Sequence, residues 1–260
     1  MNGKKLLIIY FSGTGNTRSV AEYMRKNMKK HCECDIFSTE KLPDDFDINH
    51  YKAAVIGFPT YHSQPALPVM KWLSKVKTEK NIPVFLFTTC GLYSENSLRH
   101  FALEAVKHGL IPIKNSSYRC SATDGMLLAP NMEIWFRHEN GLEERISSDC
   151  DDFMGLLQIH APCRIPAEKW YSVLNAPNKL MGMNYRHRIY LDHNRCTGCG
   201  KCVRSCPAGA LAMTESKFRI IFSQKCISCL RCVHHCPSKA LSLYKWKNVE
   251  RVWENTLDIS

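Results

Sequence analysis

Up to about residue 120, short and nearly continuous apolar runs alternate with amphipathic stretches. Lys5–Phe11, Cys34–Phe37, Ala53–Phe58, Val84–Thr89 and Ile111–Tyr118 read as strands, and Arg18–Lys30, Pro68–Val76 and Asn96–His108 as helices. In the last helix Leu98, Phe101, Ala102, Ala105 and Val106 fall on one face. Strands that are apolar from end to end must be covered on both sides, and their alternation with helices argues a parallel sheet. Right-handed crossovers then place helices on both faces. The expected class is α/β, a doubly wound parallel sheet.

Beyond Ser121 the periodicity fades, and prolines at 130, 162, 166 and 177 interrupt it. Only Asp149–Ile159 reads as a helix, capped by Ser147 or Ser148. A repeat then begins. Ile189-Tyr190-Leu191, followed by the run Cys196 to Pro207, is echoed 30 residues later by Ile220-Ile221-Phe222 and the run Cys226 to Pro237. Each copy is too small to bury a core alone, so the two are expected to pair about a pseudo-twofold axis as a small α+β unit. Val249, Val252, Trp253 and Leu257 have helical spacing and are expected to pack back on the body. The expected divisions are 1–160, a connecting segment 161–188, 189–245 and a helical tail 246–260.

Both copies of the repeat read Cys-x2-Cys-x2-Cys-x3-Cys-Pro, and they hold eight of the 14 cysteines. Three cysteines spaced by two residues can wrap one corner of an iron–sulfur cube, while the fourth is too close in sequence to close the same cube and reaches across to the other. The expected ligands are Cys196, Cys199, Cys202 and Cys236 for one [4Fe–4S] cluster, and Cys226, Cys229, Cys232 and Cys206 for the second. Zinc also uses paired Cys-x2-Cys units, but a tetrahedral site calls for neither the third cysteine nor the Cys-Pro. Residues 189–243 resemble a bacterial-type two-cluster ferredoxin domain.

The first predicted strand runs into Ser12-Gly13-Thr14-Gly15-Asn16-Thr17 and then a helix. Glycines allow a tight turn with N–H groups pointing inward, and the hydroxyls of Ser12, Thr14 and Thr17 add donors. With the helix N-terminus they make a cage for a phosphate. The loop has neither the lysine of a Walker loop nor the third glycine of a dinucleotide fingerprint, since Arg18 stands there. A terminal phosphomonoester fits best.

Over about residues 4–120 this arrangement resembles the flavodoxin family, whose loop of this kind holds the phosphate of FMN. The resemblance implies strand order 2-1-3-4-5, with FMN at the switch point. It also implies that two further loops touch the flavin ring, Pro59-Thr60-Tyr61-His62 and the segment Thr89, Cys90, Gly91, Leu92 and Tyr93. Tyr61 and Tyr93 are the candidates for stacking on its faces. The chain as a whole is similar to flavodoxin–ferredoxin fusion proteins of anaerobes. Ala129-Pro130-Asn131-Met132 resembles a segment of that family, with two departures.

The net charge is +11, and residues 191–260 contribute +6 of it. Part of this offsets the cofactors, at about −2 for each cluster and for the FMN phosphate. Arg195, Lys201, Arg204, Lys217, Arg219, Lys225 and Arg231 still crowd the cluster unit, an expected docking face for an acidic redox partner such as a ferredoxin or an oxidoreductase subunit. Nucleic acid is not expected, because no recognition motif accompanies the charge. The apolar run Leu6–Phe11 is too short for an export signal or a membrane span. A cytoplasmic, reducing setting is therefore expected, and a disulfide framework is not. No role is assigned to Cys32, Cys34, Cys120, Cys150 or Cys163, and Cys90 reads as a packing residue. The expected function is low-potential electron transfer between FMN, two clusters and partner proteins, in a monomer or homodimer. The opposing expectation is a flavin reductase for a quinone or disulfide, with only His62 and Cys90 available as acid or base. A sensor built on labile clusters is a third.

Overall fold

The computed structural model describes residues 5–123, 125, 130–175, 189–214, 220–222 and 225–243. Five long strands form a parallel sheet: β1 (Leu6–Tyr10), β2 (Cys34–Ser38), β3 (Ala53–Tyr61), β5 (Ile82–Cys90) and β6 (Leu110–Arg119). A two-residue strand, β4 (Gln64–Pro65), folds back antiparallel on the end of β3. The order is β2-β1-β3-β5-β6, which is 2-1-3-4-5 when only the long strands are counted.

Alternation along the strands divides the core in two. Leu7, Ile9, Ala54, Ile56 and Leu86 face α2 (Leu67–Leu73) and α3 (Ser97–Lys107). Leu6, Ile8, Val55, Phe85 and Phe87 face α1 (Asn16–Met28) and α4 (Leu142–Gln158). Both faces are covered, as end-to-end apolar strands require. On α3, Leu98, Phe101, Ala102 and Ala105 are buried as their spacing predicts, but Val106 is exposed, one position round from the stripe.

The last helix of this sheet domain differs from expectation. It starts at Leu142 instead of Asp149, after Gly141 in a left-handed conformation (φ 67°). Ser147 and Ser148 lie inside it and cap nothing; the Ser147 hydroxyl donates to the Asn27 side chain at 3.0 Å. Leu142, Ile146, Cys150 and Phe153 form one buried stripe on α4, and Phe153 lies 5.5 Å from Phe85 between ring centres. Tyr118 donates to Asp149 (2.7 Å), and Lys114 pairs with Asp149 and Asp152, both at 2.8 Å. These bonds fasten α4 to β6.

The repeat forms a second unit. Strand β7 (Tyr190–Leu191) pairs antiparallel with β10 (Leu241–Ser242), and β8 (Leu211–Met213) with β9 (Ile220–Phe222). Two single-turn helices, α5 (Lys201–Arg204) and α6 (Arg231–His234), follow the cysteine loops. The backbone repeats even where the sequence does not. Gly198, Gly200 and Gly209 have positive φ, and so do Ser228, Leu230 and Lys239 at the matching positions. Non-glycine residues there carry strain that the surrounding structure must impose. The expected helical tail at 246–260 lies outside the described residues.

Candidate functional site

The sheet delivers its C-terminal strand ends to one edge, as open α/β sheets do. Strand β1 passes through Phe11 into the loop Ser12–Gly15, and α1 starts at Asn16. Gly15 takes φ 124° and donates its N–H to the Ser12 hydroxyl (3.1 Å). Among the described residues no side chain caps α1, and the start of a helix is where backbone N–H groups favour an anion. Two bonds fix the loop to neighbouring elements: the Thr17 and Thr89 hydroxyls at 2.7 Å, and the Asn16 amide donating to the Ser121 carbonyl at 2.8 Å.

The second predicted loop is shorter than expected. Pro59, Thr60 and Tyr61 continue β3, and only His62 and Ser63 make the turn into β4. Both take positive φ (47° and 64°), the pattern of a tight hairpin turn that usually selects Asn-Gly. The Thr60 and Thr88 hydroxyls meet at 2.8 Å beneath it. Thr89 and Cys90 likewise end β5 and precede the third loop.

These ends surround a cleft of about 380 Å³. Ser12, Gly13, Thr14, Asn16, Thr17, Pro59, Thr60, Tyr61, His62, Thr89, Cys90, Gly91 and Tyr93 all line it, whereas Gly15 is not among the lining residues. Tyr61 is half-buried against the core, whereas Tyr93 stands exposed at the rim. Burial pushes the thiols of Cys90 and Cys120 up, which makes both poor nucleophiles. The Cys90 sulfur rests on the Ser117 hydroxyl at 3.5 Å.

Other lining residues escaped the sequence reading. Glu95, Cys120, Ser121, Ala122, Thr123 and Phe136 belong to the sheet domain. Those at 120–123 follow β6, and the rule that places ligands beyond parallel strand ends applies to them equally. Phe136 ends the turn segment Pro130–Phe136, which includes part of the motif-like stretch noted above; Ala129 lies outside the described residues. Ser228, Cys229 and Leu230 form the remaining wall, and they come from the second unit. Nothing in their own sequence signals it.

Contact between the units is close: Ile227 packs against the core of the sheet domain, and polar bonds add to it. A Cβ on Gly13 would stand 3.0 Å from the Cys229 carbonyl oxygen. The Thr123 hydroxyl meets His234 Nε2 at 2.6 Å, and burial pushes that imidazole down to about 4. Arg231 donates to the carbonyls of Ser12 (2.6 Å) and Gly13 (3.2 Å) and clasps both carboxylate oxygens of Glu40. This corrects the expectation for Arg231, which is largely buried between the units and is no part of an exposed docking face. Arg195, Lys201, Arg204 and Lys225 are exposed; Lys217 and Arg219 lie outside the described residues.

One group of four thiols crosses the repeat. Cys196, Cys199, Cys202 and Cys236 line one small hollow, and the Cys202 thiol feels the charges of Cys236 and Cys199. Burial pushes the Cys232 thiol up, and Cys229, Cys226, Cys206 and Cys202 all lie near enough to add to this. Burial pushes Cys229 up to about 11, while the Lys201 backbone N–H holds exposed Cys199 below its ordinary value. Among the described residues no three His, Cys, Asp or Glu side chains are grouped closely enough to hold a single metal ion. Among them, too, no helix is long and apolar enough to cross a membrane.

Comparison with known proteins supports both units. The flavodoxin domain family matches residues 7–138, just over half of the chain. The chain belongs to the flavodoxin domain family. Its second unit matches the 4Fe-4S dicluster domain over residues 188–252. A flavodoxin from the Archaea is 15% identical over 59% of this chain and 99% of its own, with a TM-score of 0.43. Flavodoxin 1 from Bacillus cereus is 12% identical, over 58% and 98%, with a TM-score of 0.45. A flavoprotein from Lactobacillus acidophilus, solved in complex with FMN, is 23% identical, over 44% and 93%, with a TM-score of 0.37. No curated protein matches the sequence. A flavodoxin domain implies FMN, and a dicluster domain implies two [4Fe–4S] clusters. Their pairing suggests a flavin/iron–sulfur electron carrier.

Proposed function

We propose that this flavodoxin–ferredoxin chain carries electrons between FMN in the cleft and partner proteins, by way of two clusters in its second unit. Cys226, Cys229, Cys232 and Cys206 would hold the cluster nearer the flavin. Cys196, Cys199, Cys202 and Cys236 would hold the outer one. When bound, FMN exchanges electrons in pairs or singly and each cluster exchanges one, so the set can match a two-electron donor to a one-electron acceptor.

The residues present fit these groups. The uncapped start of α1 and the hydroxyls of Ser12 and Thr14 offer donors to a phosphate. The Ser121 hydroxyl is buried in the cleft wall without a partner among the described residues, which leaves a polar contact for the ligand to complete. Pro59, Tyr61 and Leu230 contribute apolar surface that excludes water. One observation carries the reading: Ser228, Cys229 and Leu230 form a wall of the cleft, and Cys229 lies so near the loop after β1 that a Cβ on Gly13 would stand 3.0 Å from its carbonyl oxygen. A flavin held there would have a loop of the second unit, with Cys229, as part of its surroundings within one chain.

Cys199 and the exposed Lys201 and Arg204 mark the outer end, where an acidic redox protein would dock. Anaerobic purification should give FMN, with iron and sulfide for two cubanes per chain. Electron transfer to an acidic ferredoxin should slow as ionic strength rises. Colourless protein, or transfer indifferent to salt, would count against the cofactors and the docking face respectively. Rapid turnover with a quinone or disulfide in the absence of any protein partner would favour a flavin reductase instead.

A further inference from the structure

Arg231 sits between Cys229 and Cys232 in sequence and reaches into the loop after β1. All five of its N–H donors are engaged. Nε donates to the Gly13 carbonyl (3.2 Å), and one terminal nitrogen to the Ser12 carbonyl and a Glu40 oxygen (both 2.6 Å). The other terminal nitrogen donates to the second Glu40 oxygen (2.7 Å) and to the Ser205 carbonyl (3.1 Å), just before Cys206. The guanidinium also lies 5.3 Å from the Phe11 ring centre. A guanidinium stays charged in proteins, and Glu40 supplies the paired carboxylate that this largely buried one needs.

We propose that Arg231 is a positioning residue with two separable tasks: its hydrogen bonds aim the phosphate loop, and its charge tunes the nearer cluster. The proposal rests on the functional reading above. The first task follows from the planar trans peptide, in which the C=O of one residue and the N–H of the next point in opposite directions. Held on the Ser12 and Gly13 carbonyls, Arg231 turns the N–H groups of Gly13 and Thr14 the other way, and both residues line the cleft. The second task follows from position. A buried cation next to Cys229 and the Cys206 segment favours the more negative, reduced state of a cluster there, while Glu40 opposes it.

The test uses holoprotein prepared without oxygen, with three variants: R231M, R231K and E40Q. Two quantities are read, the Kd for FMN rebinding to deflavinated, cluster-loaded protein and the midpoint potentials of both clusters. R231M should weaken FMN binding about tenfold, the scale of losing hydrogen bonds to a charged group, and lower one cluster potential. R231K keeps the charge but not the planar fork, so it should weaken FMN while leaving that potential near the parent value. E40Q should raise the same potential. Loosening of the contact between units would shift R231M and E40Q in the same direction, so opposite shifts exclude a merely structural role. Unchanged FMN affinity in both Arg231 variants, or potentials that move together in R231M and E40Q, would overturn the proposal. If R231M fails to keep its clusters, R231K and E40Q still decide. Parent protein without FMN or clusters would instead overturn the functional reading itself.

Discussion

A methyl group added to Gly13 would run into the Tyr61 hydroxyl on one side and stand 3.1 Å from Cys229 Cβ on the other. Neither neighbour can yield freely: Tyr61 packs on the core, and Cys229 belongs to a cluster loop. Gly13→Ala should therefore displace the phosphate loop. Losing one hydrogen bond to a charged group costs about 1.5–3 kcal/mol, so FMN binding should weaken roughly 10- to 100-fold. Fluorescence titration of deflavinated protein measures this, and an unchanged Kd would show that the loop does not hold the phosphate. Much of the loop was legible because its chemistry is local: glycines and hydroxyls stand together where a strand meets a helix. Ser121 and Phe136 were not, because they reach the cleft through strand register and a turn without periodicity.

Among the elements, α4 shows why a helix can be under-read. Its apolar stripe has one residue per turn, Leu142, Ile146, Cys150 and Phe153, and the intervening Glu143, Glu144, Arg145, Ser147 and Ser148 hide it. The sheet face selects the helix more than its own pattern does. The Lys114–Asp149 pair then matters for attachment, with side chains 17% and 14% exposed. Burial would raise the Asp149 carboxyl, but bonds from Lys114 and Tyr118 hold it below its ordinary value. Lys114→Met leaves that carboxylate short of a partner and should cost about 1–3 kcal/mol. Adding Asp149→Asn should recover part of this, as urea unfolding followed by intrinsic fluorescence would show. Because the folded pKa is depressed, the pair stabilises fully above the unfolded value of about 3.9 and fades as pH falls through the lower folded one. The penalty of Lys114→Met should shrink in acid accordingly.

On the scale of the whole molecule, the two units could be read from the sequence separately, but their contact could not. Packing between distant segments leaves no periodicity, and a basic residue such as Arg231 looks the same in sequence whether it faces solvent or Glu40. The contact has a consequence for cofactor loading. Ser228 and Leu230 wall the flavin cleft with their backbones in left-handed conformations that glycine occupies in the other copy of the repeat. Such strain persists only while neighbouring structure imposes it, and the thiolates of Cys226, Cys229 and Cys232, drawn to one cluster, would be that constraint. Cys226→Ala should release the wall and weaken FMN binding by about tenfold, a loss of one or two contacts. Cys199→Ala, at the outer group, should have the smaller effect, since Cys199 lines the other hollow and is not among the residues lining the cleft. Titration of FMN into both variants, with iron content measured alongside, separates the cases. Equal affinities would mean that the cleft holds its shape without the nearer cluster, so that the two cofactors load independently.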